Sequence, residues 1–259
     1  MNATPRLPAY YSRLRPFQDL FAAGLPVLTY HKVGPRPWRT RLKGLYVSPS
    51  LFQKQLAELR AAGYETRSLD DVRRSDAPAG RRVVLTFDDG FRNVWEHALA
   101  PLARCGYRAI QFLVADRLGR LNDWEIREGE AAAPLMDAAQ VRDWLAAGHE
   151  IGAHSLTHPR LTQIPLAQAR EEISASRKKL EDLFSVAVRH FCYPYGDCND
   201  AVCDLAAEAG YATACTTRFG VNTAATPPYQ LNRVTARYPS RNLKTLAASL
   251  VNWRPWARK

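Results

Sequence analysis

"LTFDDGF" occupies residues 85–91 and closes an apolar run that begins with "RVV" at 82. A short valine-rich run that ends at a glycine turn reads as a buried strand over 82–87. In a parallel α/β architecture the residues just past a strand's carboxyl end face the functional rim. Asp88 and Asp89 stand at such an end. Neighbouring side chains on an extended segment point in different directions, so one carboxylate can meet a cation while the other meets a water. Taken alone, the same letters serve equally well as a helix cap or an Asp-Gly turn.

Outward from this strand, apolar runs and amphipathic segments alternate. Further strands are expected at 26–31, 109–115, 150–155, 189–194, 212–217 and 230–234. Helices are expected from Ser50, where Leu51, Phe52, Leu56 and Leu59 keep helical spacing up to a stop at Gly63, and over 93–106, where Pro101 can introduce a kink. Others start at Asp137, at Pro165 and at Asp200, with a last one near 243–250. Such alternation implies a parallel sheet. About seven parallel strands in one domain fit an α/β fold of the distorted (β/α) barrel kind, with an open doubly wound sheet as the alternative. The expected organisation is one catalytic domain over 1–259, with 1–25 as an amino-terminal extension. Two long loops, 31–47 and 116–134, are long enough to carry function.

Composition narrows the classes. With 259 residues, 46% hydrophobic and 24% charged, the chain can bury a sizeable core, and disorder is not expected. The formal charge of +11 favours anionic partners: nucleic acid, a membrane surface or an acidic polymer. Basic residues cluster at 36–43 and 254–259, yet no finger spacing or aromatic RNA-binding signature accompanies them. A soluble protein with a basic surface is therefore the preferred reading over nucleic-acid binding, with room for peripheral contact with an anionic membrane. Five cysteines without a Cys-x-x-Cys pair do not form a disulfide framework and fit a reducing compartment. The first twenty residues lack the apolar core of a secretion signal, and no run is apolar enough to span a membrane. The expectation is a cytoplasmic protein.

Three further stretches carry chemistry. In "HSLTH" (154–158), two imidazoles four residues apart would share a face if helical and could share a metal ion. With one carboxylate they make three ligands and leave room for water and substrate. "FCYPYGD" (191–197) ends a strand in a turn that can present a backbone N–H to an oxyanion, or can simply be a packed turn. "TYHKV" (29–33) places His31 at a strand end, where it can act as a general acid or fill the core. His97, His149 and His190 have no comparable partner and read as structural.

In this order, "TFDDG", "HSLTH" and "YPYG" resemble the first three signatures of the polysaccharide deacetylase family of carbohydrate esterases, across about 27–234. The resemblance implies a distorted barrel with fewer than eight strands and metal-dependent removal of acetyl groups from N-acetylated sugars. It implies Asp88 as general base, Asp89, His154 and His158 as metal ligands, and the Tyr195 N–H as oxyanion donor. Zinc suits this ligand set, and nickel, cobalt or iron also fit. Two departures follow. No histidine lies after His190 to serve as the usual carboxyl-terminal acid, and Cys192 stands where the family has an arginine. The permuted exopolysaccharide branch, related to poly-N-acetylglucosamine deacetylases, takes its acid from an early "YH" strand, which "VLTYHKV" is similar to, so His31 is the implied acid. Arg233 in "LNRV" is the candidate to pair with Asp88, its alternative being a surface arginine. The implied partner is an N-acetylated sugar polymer, oligosaccharide or lipid-linked glycan, with the loop residues Trp38 and Trp124 and the basic run 36–43 as candidate contacts. Competing readings are a deformylase or amidase on a lipid-linked amino sugar and a catalytically silent carbohydrate-binding protein.

Overall fold

Val27 to Tyr30 forms the strand that closes the sheet on itself. In the computed structural model, residues 7–38, 40–73, 80–126 and 130–237 are described. The strands are β1 (Val27–Tyr30), β2 (Lys32–Val33), β3 (Tyr46–Val47), β4 (Glu65–Thr66), β5 (Arg82–Phe87), β6 (Ile110–Leu113), β7 (Glu150–Ala153), β8 (His190–Cys192), β9 (Thr213–Phe219) and β10 (Leu231–Thr235). The helices are α1 (Gln18–Ala22), α2 (Pro49–Ala61), α3 (Arg92–Cys105), α4 (Ala138–Ala146), α5 (Leu166–Phe184) and α6 (Asp200–Glu208). Strands β5, β6, β7, β8, β9 and β10 pair in parallel in that order. β1 then pairs with both β10 and β5. The result is a closed barrel of seven parallel strands, which rules out the open doubly wound sheet. β4 adds to β5 outside the ring, and β2 and β3 form a separate small pair.

The strand residues sort into two faces by the period of two. Val27, Val84, Ile110, Phe112, Cys192, Cys215 and Leu231 form one buried cluster. Leu28, Val83, Leu85, Phe87, Leu113 and Val234 belong to the other, with the apolar faces of the helices. The first cluster fills the barrel, and the second packs between barrel and helices. Phe87 is fully buried and stacked on Tyr30, with Phe52 and Trp144 edge-on. Ser48 caps α2 and Asp137 caps α4 with a capping box, so both helices start where short polar side chains satisfy free backbone N–H groups. Residues 7–25 do not hang free: Tyr11, Phe17 and Phe21 are buried against one another, and the Tyr11 N–H donates to Thr235.

Two details differ from expectation. The strand expected over 150–155 ends at Ala153, and residues 154–158 form a loop, so the two histidines are not on a helix face. The loop 31–47 contains the β2 and β3 segments. The helix expected near 243–250 and the basic cluster 254–259 lie outside the described residues.

Candidate active site

The site is built where strand ends meet. β5 delivers Asp88 and Asp89, and the chain then turns sharply into α3. Asp89 and Gly90 both take positive φ, 72° and 80°. Aspartate is among the few side chains that tolerate this region, and glycine enters it freely. A Cβ on Gly90 would also stand 3.0 Å from Leu113. The turn sends the two carboxylates apart. Asp88 stays on the barrel-interior register of Val84 and Thr86, while Asp89 meets the histidines. The Asp88 N–H donates to Tyr30 and the buried Gln111 amide donates to the Phe87 carbonyl, which fixes the turn at both ends.

His154 follows β7 directly. Its Nδ1 lies 2.6 Å from the Cys192 carbonyl, an arrangement that puts the proton on Nδ1 and turns Nε2 toward Asp89. The loop then reverses through Ser155 (φ 63°) and brings His158 (φ 69°) back beside His154, closed by the His158 N–H donating to Ser155 Oγ at 2.9 Å. Asp89 Oδ1 is 3.3 Å from Nε2 of His154 and 3.3 Å from Nε2 of His158. All three side chains are buried. The intervening residues are held from below by Glu172 of α5, which accepts the N–H groups of Leu156 and Thr157, both at 2.9 Å, and the Thr157 hydroxyl. Burial alone would raise the Asp89 carboxyl, but its contacts to both imidazoles outweigh that and hold it well below the usual range. Burial lowers His158. In His154 the same tendency is overcome by Cys192 and Asp89, and its proton is held well above the usual range.

Barrel closure assembles the second carboxylate's surroundings. β1 lies between β5 and β10, with Tyr30 in register with Phe87 and Leu28 with Val234. Consequently His31, one residue past β1, comes beside Asp88, with Nε2 3.8 Å from Oδ2. Arg233 on β10 points into the barrel and is 2% exposed, so the surface alternative for it is wrong. It grips Asp88 with two parallel bonds, Nη1 to Oδ1 at 2.8 Å and Nη2 to Oδ2 at 2.7 Å, and its Nε donates to Thr216 O. Cys192 fills the space beside this pair, its Sγ 3.2 Å from Arg233 Nη2. Burial pushes Asp88 up, and the charge and hydrogen bonds of Arg233 more than offset it, so the carboxyl sits below its usual value.

Tyr195 lies in the short helical turn Pro194–Gly196 with φ 60°. Gly196 is required there, since a Cβ would meet Thr217 Oγ1 at 2.2 Å and its backbone N at 2.7 Å. The Tyr195 ring packs edge-on to His158 at 4.7 Å, and Trp124 stacks on the other side of that imidazole at 4.4 Å. These residues, with Leu42, Leu45, Glu125, Arg160 and Thr217, line a cavity of about 330 Å³ that contains Asp88, Asp89, His31, His154, His158 and Arg233. The two long loops meet in its wall. Glu130 accepts the N–H groups of Arg41 and Leu42, and Glu125 pairs with the buried Lys32, whose ammonium also sits 4.3 Å from the Phe91 ring. Trp38 is 91% exposed and is not among the lining residues.

All seven residues singled out from the sequence thus line one cavity. Sequence reasoning missed Glu172, Lys32, Glu125 and Arg160. The adjacent "EE" at 171–172 gives no sign of which glutamate is buried, whereas a lysine inside the apolar "TYHKV" was a signal that could have been read. The Asp89, His154 and His158 donors fit a divalent cation. Donor atoms on a tetrahedral zinc ion stand about 3.4 Å apart, and the two Asp89 contacts are 3.3 Å. Two imidazole nitrogens and one carboxylate oxygen, with open space beyond them, form the donor set of a catalytic rather than a closed structural site.

A closed seven-stranded parallel barrel with Asp89, His154 and His158 converging at its carboxyl-terminal rim defines the class of α/β-barrel protein. The description "polysaccharide deacetylase" belongs to a family model that matches residues 75–214, and the chain is a member of that family. YxkH of Bacillus subtilis (strain 168), named for the same family, is 24% identical over 216 residues, covering 82% of this chain and 71% of YxkH. The deacetylase PplD of Streptococcus pyogenes, whose structure is a complex with acetate, superposes with a TM-score of 0.71 at 25% identity over 87% of this chain and 97% of PplD. IcaB of Ammonifex degensii gives 0.70 at 24% identity, over 87% and 96%. The matched span contains β5 to β8. His31 and Arg233, the two residues that flank Asp88, come from outside it.

Proposed function

We propose that this chain is a divalent-metal-dependent N-deacetylase. It hydrolyses the acetamide of N-acetylhexosamine units in an exopolysaccharide-type glycan to acetate and a free amine. The observation that carries the reading is the division of labour between the adjacent carboxylates: Asp89 faces two imidazole nitrogens at 3.3 Å, while Asp88 is held ionised by Arg233. The acetate complex of PplD supports the same chemistry.

A zinc ion held by Asp89, His154 and His158 would polarise the acetyl carbonyl and acidify a water. Asp88 takes the proton of the attacking water. Arg233 and Thr216 keep that carboxylate fixed and charged. The backbone N–H of Tyr195 stabilises the developing oxyanion. His31, 3.8 Å from Asp88, protonates the departing nitrogen so that the C–N bond breaks to an amine. Trp124 and Tyr195 flank the His158 ring and give the cavity apolar walls on which a sugar or its acetyl methyl can rest. Among the described residues no helix is long and apolar enough to cross a membrane.

The test is acetate release from N-acetylglucosamine oligomers by protein stripped of metal and then reloaded with zinc, cobalt or nickel. Restored release with one ion bound, abolished in Asp88→Asn, is expected. Stoichiometric metal binding without release from any acetylated oligomer would overturn the reaction, and formylated oligomers would then be tried.

A further inference from the structure

The cavity wall holds one charge too many. Two of its carboxylates are paired with cations, Asp88 with Arg233 and Glu125 with Lys32, and Asp89 faces the two imidazoles. Arg160 also lines the cavity, yet it has no carboxylate partner and no side-chain hydrogen bond among the described residues. It is exposed, and its guanidinium carbon sits over the Tyr195 ring, 4.0 Å from the centroid. A ring face offers no hydrogen-bond acceptor of the kind a guanidinium fork pairs with, so the fork is open to a ligand. The neighbouring rim adds to this field. Arg41 and Lys43 are exposed on either side of the lining residue Leu42, and neither side chain has an acidic partner among the described residues. The whole chain carries +11.

Position narrows the ligand. Arg160 and His158 both contact the Tyr195 ring, the guanidinium carbon 4.0 Å and the imidazole 4.7 Å from its centroid. The guanidinium thus shares a ring contact with one of the cation donors, within the reach of a substituent on a sugar bound there. We infer that Arg160 is a specificity-determining residue that binds a carboxylate or phosphate carried on, or next to, the N-acetylhexosamine under attack, so that the preferred substrate is an anionic glycan. This rests on the N-deacetylase reading above. Carboxylate and phosphate share the chemistry that a guanidinium fork recognises in two parallel hydrogen bonds.

Three oligomer sets separate the outcomes: neutral N-acetylglucosamine oligomers, the same oligomers bearing 6-phosphate, and alternating glucuronate–N-acetylglucosamine oligomers. The expected result is a kcat/KM about tenfold higher on one anionic set than on the neutral set, as a charge-assisted bidentate pair supplies. The preference should shrink as salt rises. In Arg160→Gln the anionic-to-neutral ratio should collapse toward one, through KM. Arg160→Lys, which keeps the charge but not the fork, should recover part of it. Whichever anionic set is favoured identifies the substituent. Equal use of all three sets by the wild type would overturn the inference, as would an unchanged ratio in Arg160→Gln. If no oligomer is hydrolysed, the deacetylase reading has failed. The inference is then judged by calorimetric affinity of the same oligomers for wild type and Arg160→Gln, where tighter anionic binding lost in the variant upholds it and equal binding rejects it.

Discussion

The rim and the floor of this barrel each bury histidines near carboxylates, and they treat them differently. At the floor, where strands begin, His190 donates or accepts through Nδ1 at Thr213, while its Nε2 stays 3.9 Å from Glu150 and 4.0 Å from Asp70. His149 packs at a tilt against Trp144, ring centroids 4.3 Å apart. Burial pushes His149 down to about 4, with Arg108 adding to it, so it stays neutral. At the rim, Asp89 touches both imidazoles, and His154 moves the other way. Strain divides along the same line. Five described non-glycine residues have positive φ. Asp89, Ser155, His158 and Tyr195 are at the rim, and only Ser185, the cap of α5, is elsewhere. Burial by itself neutralises an imidazole. Converging charges requires backbone conformations that ordinary strand ends do not supply, and such strain persists only where the surroundings hold it.

The sharpest break in this contrast is Asp88→Asn. If Asp88 is the general base proposed above, its loss lowers turnover by about 10²- to 10⁴-fold, and steady-state kinetics on metal-loaded protein reads it. Next comes Arg233→Met. It leaves a buried carboxylate unpaired, which costs about 3–5 kcal/mol by denaturant melts at neutral pH. With Arg233 gone, burial dominates and the Asp88 pKa rises. On the proposed mechanism, in which Asp88 acts ionised, activity is then lost at a higher pH than in the wild type. The signs of stability also reverse. In the wild type the depressed carboxyl contributes stability that is present above its unfolded pKa and lost as pH falls through the folded one. In the variant the raised carboxyl is a penalty at neutral pH that acid relieves, so the gap between the two proteins should narrow on acidification.

A smaller effect is expected from Glu172→Ala, which touches no donor atom. By freeing the loop between His154 and His158 it should weaken zinc affinity about 10- to 100-fold, read by competition with a chelator. An unchanged affinity would show that Ser155 and the β6 ladder hold the loop unaided. The smallest is at the floor. Unfolded His149 binds a proton near 6.5 and the folded one near 4, so the wild type should lose on the order of 2 kcal/mol between pH 7 and pH 5 from this group. His149→Phe, which keeps a ring against Trp144, should flatten that part of the stability profile.

The seven strands were legible because buried parallel strands read as short apolar runs, and Arg233 was legible only as a candidate partner for Asp88 on the last of them. The carboxylate pair and the histidine pair were legible as types. Their meeting was not, because nothing in "HSLTH" announces that serine and histidine take left-handed conformations. A helix was the natural alternative for a spacing of four, and the structure uses a loop. Glu172 was hidden in an amphipathic helix among exposed charges. Lys32 stood out in the apolar "TYHKV", but its partner was hidden, because Glu125 comes from a loop 93 positions away.

Closure through β1 has a consequence for how the chain is made. As synthesis proceeds, β1 can pair with β5 as soon as both have emerged, which sets His31 next to Asp88 early. Arg233 follows Asp88 by 145 positions. Until β10 arrives, the nascent sheet has an open edge on β1 and Asp88 lacks its counter-charge. Docking of β10 seals the ring and completes the charge pair in one long-range event of the kind that folds slowly and leaves intermediates exposed to aggregation. A ribosome-bound chain halted before β10 would therefore carry the paired aspartates and both rim histidines, yet remain an unfinished barrel in need of protection.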